Sequence, residues 1–135
     1  MTEQLPNSMS DWTDLIKQAL SVWAAGAEDS ARLESLSVVR ARLPGADLHT
    51  AVESLLEEAM ERVEARSPRY AELLRLRFRE NKNARIIGNK LSLAESTVYR
   101  SQREALQALT EVVIEMESSA RGTLVAQFET RLEAP

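Results

Sequence analysis

The sequence contains no cysteine, and this absence excludes disulfide bonds, thiolate metal ligands and cysteine nucleophiles together. Aromatic residues are scarce at 4% of the chain, so leucine, valine and alanine must supply most of the buried surface. No apolar run reaches about 18 residues, the length expected of a membrane-spanning helix. The N-terminal residues lack the basic and apolar parts of a secretory signal. We therefore expect a cytoplasmic protein with no membrane partner.

Sequence motifs of catalysis and cofactor binding are also missing. The chain has no P-loop, GxGxxG, GxSxG or HExxH pattern. Its single histidine, His49, has no second ligand beside it at a metal-binding spacing. The carboxylates of Glu57, Glu58 and Glu61 follow helical spacing, which is typical of a solvated helix face. The sequence thus predicts a protein that is not an enzyme and that binds no cofactor or metal.

Apolar residues recur at helical spacing along the chain, and no segment alternates for long with the period of a strand. This periodicity predicts an all-α helical bundle. A flexible tail over residues 1–9 should precede a three-helix segment over residues 10–65. Ser10 and Asp47 are the expected N-caps of its first and third helices, and the second helix is predicted over residues 30–42.

A helix-turn-helix segment with a long C-terminal helix is predicted over residues 66–118. Its start at Ser67-Pro68 is clear, because serine favours the cap and proline the first helical position. Three elements are then expected in order: a break at residues 81–83, a short helix over 84–91 and a long helix over 95–118.

Basic residues are concentrated in residues 67–106, which hold nine Lys or Arg against four Glu. This part carries a net charge of +5 and the remainder carries −9, within a total of −4. A basic segment in an acidic chain is typical of a local phosphate-binding surface, and the alternative is a solvated helix face. The candidates for phosphate contact are Arg77, Arg79, Lys82, Arg85 and Lys90.

The stretch IIGNKLSLAESTVYRSQREAL, at residues 86–106, fits the packing rules of a helix-turn-helix. The first helix of such a unit needs a small residue where it meets the second, and the turn needs apolar anchors. Gly88 is the small residue, and Leu93 and Val98 are the anchors. If the second helix enters a major groove, the residues at its outward N-terminal positions contact the bases. These candidates are Glu95, Ser96, Thr97, Tyr99, Arg100 and Arg103.

Together with the preceding helix YAELLRLRF, this unit resembles the helix-turn-helix of sigma-factor region 4 over about residues 67–109. More narrowly, it is similar to modules found in bacterial multidomain regulators. The resemblance implies duplex DNA binding and transcription regulation. The chain departs from the family pattern at Gly88, where alanine is commoner, and at Gln102, where the family has an apolar residue. Ser92 replaces the usual turn glycine, which requires either a positive φ or a different turn.

An apolar seam continues beyond the predicted recognition helix, at alternating steps of four and three from Val98 to Met116. After a break at Arg121-Gly122, residues 119–135 are predicted to form a short amphipathic helix. The seam either packs against the N-terminal helices of the same chain or forms a homodimer interface. Its candidate residues are Ala105, Leu109, Val112, Val113, Met116, Leu124 and Phe128.

Two functions are therefore open at this point. The first is duplex DNA binding by the helix that begins near Glu95. The second is a protein-interaction module, acting as a homodimer or by recruiting a protein partner, that retains the helix-turn-helix as a scaffold. The acidic charge balance, Glu95 on the reading helix and Ser92 in the turn favour the second function.

Overall fold

The computed structural model describes residues 8–25, 36–45 and 47–133, and their side chains over residues 8–20, 36–43, 45 and 47–122. All regular elements of this part are helical, which confirms the predicted all-α fold. None of its helices combines the length and the apolar character that a membrane span requires. In chain order they are α1 (Met9–Ala25), α2 (Ser37–Arg40), α3 (Leu48–Arg66), α4 (Pro68–Leu74), α5 (Ala84–Leu91) and α6 (Glu95–Glu133).

One of the two predicted N-caps in the first half of the chain is confirmed and the other is wrong. Asp47 caps α3, because its Oδ1 accepts a hydrogen bond from the Thr50 N–H at 2.7 Å. Helix α1 begins before Ser10, and its cap is Ser8, whose Oγ accepts from the Asp11 N–H at 3.2 Å. The cap thus lies two residues earlier than the sequence predicted.

Helix α2 is shorter than the predicted helix over residues 30–42. Leu36 is extended, with φ −76° and ψ 132°, so the helix starts only at Ser37. A 3₁₀ turn over Leu43–Gly45 follows its end. The helix start is fixed from outside, since its first N–H groups bind the carboxylate of Glu117. Residues 30–35 of the prediction lie outside the described residues.

The predicted helix start at Pro68 is confirmed, although Ser67 contributes an extended backbone and no side-chain hydrogen bond. Helix α4 runs directly into a π-helical turn over Arg75–Arg79, in which the Glu80 N–H donates to the Arg75 carbonyl at 2.9 Å. Asn81 has a positive φ of 55° and ends this turn. The break predicted at residues 81–83 is therefore present.

Helix α6 is one continuous helix of 39 residues, so the predicted break at Arg121-Gly122 and the separate helix over residues 119–135 are wrong. At about 1.5 Å per residue it is about 58 Å long. A glycine inside a helix is less favourable than alanine by only about 1 kcal/mol, which is too little to end a long helix. A Cβ at Gly122 would meet no heavy atom within 4 Å, so this position is also sterically open.

The part of the predicted seam that the structure describes packs within the chain, which is the first of the two alternatives; the homodimer stays a prediction. Helix α6 contacts α1, α2 and α3, so the N-terminal and C-terminal segments share one core. The side chains of Leu124 and Phe128 lie outside the described residues. Five seam residues belong to the buried core: Ala105, Leu109, Val112, Val113 and Met116.

Candidate nucleic-acid interface

Helices α5 and α6 are joined by the three residues 92–94, and the predicted bounds of α5 and the predicted start of α6 are confirmed. Asn83 fixes the start of α5, since its Oδ1 accepts from the Ile86 N–H at 2.9 Å. Ile87 and Val98 are both fully buried, so each helix is anchored to the core next to the turn. The position of α6 relative to α5 is thus set by packing on both sides of the connection.

Gly88 lies where α5 meets the turn. Its carbonyl accepts a hydrogen bond from the Leu93 N–H at 2.8 Å. A Cβ added at Gly88 would lie 2.6 Å from the Leu93 carbonyl oxygen and 3.5 Å from Val98 Cγ2. The first distance is shorter than any ordinary contact, so even alanine would displace the turn. The predicted need for a small residue here is confirmed, and the structure restricts the position to glycine.

Ser92 adopts the left-handed conformation, with φ 59° and ψ 45°. Of the two alternatives drawn from the sequence, the positive φ is therefore the one that occurs. This conformation is less favourable for a residue with a side chain by about 1–2 kcal/mol. The backbone of the turn therefore follows the path that a glycine would take. The burial of Ile87 and Val98 on either side of the turn offsets the cost of this conformation.

The outward face of the first turns of α6 carries the predicted base-contact residues. Glu95, Ser96, Tyr99, Arg100 and Arg103 are exposed, whereas Thr97 is half-buried. Their spacing places the exposed residues on one side of the helix, opposite the buried Val98 and Ala105. The structure thus brings five of the six candidates together on one accessible surface.

The two arginines of the π-helical turn that were candidates for phosphate contact interact within the chain. The Arg77 guanidinium lies 5.5 Å from the centre of the Phe78 ring. Arg79 forms an ion pair with Glu53 of α3 at 3.5 Å, and the neighbouring Arg75 pairs with Glu64 at 3.1 Å. The acidic side of α3 therefore neutralises part of the basic segment.

The three other phosphate candidates differ in their surroundings. Lys82 is half-buried and Arg85 is exposed. Lys90 is exposed as well, but it lines a groove that also contains three carboxylates. The basic surface is therefore interrupted at Lys90. The carboxylates are those of Glu64, Glu72 and Glu80.

Sequence reasoning missed two exposed residues on the outward side of α5, Ile86 and Asn89. Ile86 is 45% exposed, while the adjacent Ile87 is completely buried. The signal was present, because two consecutive residues of a helix point about 100° apart and only one of the pair can face a narrow core. The surface beside α6 therefore includes an apolar side chain.

No family model, curated protein or solved structure matches this chain significantly. The resemblance to sigma-factor region 4 therefore rests on the residues quoted from the sequence. Among the described residues, no group of His, Asp and Glu side chains is arranged to hold a metal ion.

Proposed function

We propose that this protein binds duplex DNA as a helix-turn-helix protein, with the first turns of α6 in the major groove. The observation that carries the proposal is the exposure of Arg100 and Arg103 on one side of α6. In the part of the chain that the structure describes, neither forms an ion pair or a hydrogen bond. A role in transcription regulation, as implied by the resemblance to sigma-factor region 4, and a cytoplasmic location are part of this proposal.

Six other arginines differ from Arg100 and Arg103 because they form ion pairs within the chain. Arg42, Arg62, Arg66, Arg75, Arg79 and Arg121 each bind a glutamate of the chain. The arginines for which the described residues offer no partner all belong to the basic segment, over α4, α5 and α6. They are Arg69, Arg85, Arg100 and Arg103.

The chemistry of these side chains matches the two kinds of contact that a duplex offers. A guanidinium binds guanine O6 and N7 with two parallel hydrogen bonds, or binds a phosphate. Ser96, in the first turn of α6, offers a hydroxyl to a phosphate. Arg85, at the start of α5, would contribute to backbone binding rather than to base recognition. Affinity would come chiefly from phosphate contacts and would fall with salt.

A titration with fluorescently labelled random-sequence duplex tests the proposal. We expect the double variant Arg100→Ala/Arg103→Ala to bind at least about tenfold more weakly than the wild type, since each arginine that reads a base contributes about 1–3 kcal/mol. The matched control is Arg62→Ala/Arg66→Ala, which removes the same charge from ion-paired residues of α3. Equal loss in both double variants, or no loss in the first, would contradict the proposed surface.

We infer a second candidate function from Ile86 and from the interruption of the basic surface at Lys90. Ile86 is 45% exposed next to Arg85 and one helical turn before Lys90, and a protein partner covering this side of α5 would bury its side chain. In this case the chain is a protein-interaction module, and the wild type binds no duplex even at low salt. Light scattering at tens of micromolar tests its homodimer form, which a monomeric mass excludes.

A further inference from the structure

Tyr99 is 52% exposed, more than any other large apolar side chain whose burial the structure describes. Its hydroxyl has no hydrogen-bond partner among the described residues. The contrast is Tyr70, which is half-buried and donates a hydrogen bond to Glu104 at 2.8 Å. Helix α6 therefore presents an aromatic ring to solvent that packing does not require.

The position of Tyr99 on α6 determines which side chains lie next to its ring. It follows the buried Val98, so its side chain leaves the helix about 100° from the core-facing direction. Ser96 and Arg103 are three residues before and four residues after it, and residues at these spacings are neighbours on a helix surface. A duplex that contacts Arg103 therefore lies next to the Tyr99 ring.

The major groove offers such a ring one apolar group, the 5-methyl of thymine. Other base edges in the groove present hydrogen-bond donors and acceptors, which the Tyr99 hydroxyl can bind but its ring does not satisfy. We infer that Tyr99 packs against a thymine methyl and selects a T·A pair at one position of the bound site. This inference rests on the proposed function, and it names the base that the aromatic side chain reads.

The test uses a duplex selected from a random pool by the wild-type chain. Each thymine is replaced in turn by deoxyuridine, which removes the methyl group and leaves the base-pairing edge unchanged. One replacement should weaken wild-type binding about three- to fivefold, the effect of losing one buried methyl. Tyr99→Ala should bind the thymine and deoxyuridine duplexes equally. Tyr99→Phe and the control Tyr70→Phe should keep the preference.

The titrations are run at a salt concentration low enough for every variant to bind, and far-UV circular dichroism checks that each variant is folded. A thymine preference that persists in Tyr99→Ala overturns the inference. Wild-type binding that depends on Arg100 and Arg103 but ignores every thymine methyl also overturns it, while the proposed function stands. A wild-type chain that binds no duplex overturns both.

Discussion

The carboxylate of Glu117 binds the main chain at Val38, which lies 79 residues earlier in the sequence. Its Oε1 accepts from the Val38 N–H at 2.9 Å, and its Oε2 accepts from the Ser37 N–H at 3.1 Å. Arg121 Nε also donates to Oε2, at 2.7 Å. Glu117 is only 2% exposed, so these bonds replace the water that the charge has lost. Helix α6, which carries the candidate interface, is thus tied to the N-terminal segment.

Replacing this carboxylate should destabilise the fold. Glu117→Gln leaves one acceptor oxygen and brings an N–H₂ group against donors, so we expect the free energy of unfolding to fall by about 1.5–3 kcal/mol. Urea denaturation followed by circular dichroism measures it. Glu111→Gln, an exposed change on the same helix, should stay within about 0.5 kcal/mol of the wild type. If the two variants unfold at the same urea concentration, the structural role of Glu117 is refuted.

Signals carried by neighbouring residues predicted much of the fold. The cap at Asp47, the bounds of α5 and the start of α6 depend on residues within one helical turn, and all three agree with the structure. At Ser92 the sequence left a positive φ and a different turn open, and the structure shows the positive φ. Local propensity and periodicity were sufficient at the first three places, but the same kind of signal misplaced the cap of α1 by two residues and predicted a break at Gly122 that does not occur.

Features that depend on distant residues could not be predicted in this way. Glu117 has the sequence environment of an ordinary exposed carboxylate, and its burial arises from residues 79 positions away. The same holds for Arg79, whose charge is matched by Glu53 on another helix. The surface that the apolar seam packs against could not be predicted for the same reason. An apolar stripe does not show whether it packs within its own chain or against a second copy. Because Arg75 and Arg79 form ion pairs with glutamates of α3, the candidate interface is smaller than the basic segment over residues 67–106.

Gly88 and Gly122 should respond in opposite directions to the same change. Gly88→Ala places a Cβ 2.6 Å from the Leu93 carbonyl oxygen, and we expect a loss of about 1–3 kcal/mol from this overlap after the gain in helix propensity. Gly122→Ala meets no atom within 4 Å and should stabilise the chain by up to about 1 kcal/mol. Free energies of unfolding in urea measure both effects. A stabilising Gly88→Ala would show that the turn can shift without penalty.

The cap of α3 should make part of the stability depend on pH. Hydrogen bonds from Thr50 to the Asp47 carboxylate lower the pKa of Asp47, and His49 acts weakly in the same direction. Because the folded-state pKa lies below the unfolded one, the stabilisation is complete above the unfolded pKa. It is lost as the pH falls through the folded pKa.

Asp47→Ala should therefore lower the urea midpoint at pH 7, and its difference from the wild type should narrow in acid. Asp47→Asn is the matched variant, because asparagine caps a helix about as well without titrating. It should stay close to the wild type at neutral pH. The urea midpoints of Asp47→Ala and the wild type could also differ by the same amount from neutral to acid pH. That result would show that the charge of Asp47 does not contribute to the cap.

The surroundings of Arg85 and Lys90 predict unequal contributions to the salt dependence of duplex binding. Each phosphate contact contributes about 0.9 to the slope of log K against log salt, so Arg85→Ala should reduce the slope by about 1. Lys90→Ala should reduce it less, because Lys90 lines a groove with the carboxylates of Glu72 and Glu80, whose negative charge opposes a phosphate there. Arg62→Ala, which removes an arginine paired with Glu58 at 3.3 Å, should leave the slope unchanged. Titrations at four or more salt concentrations give these slopes.

Equal changes of slope for Arg85→Ala and Lys90→Ala would mean that the groove carboxylates do not limit the basic surface. A changed slope for Arg62→Ala would place α3 in the interface.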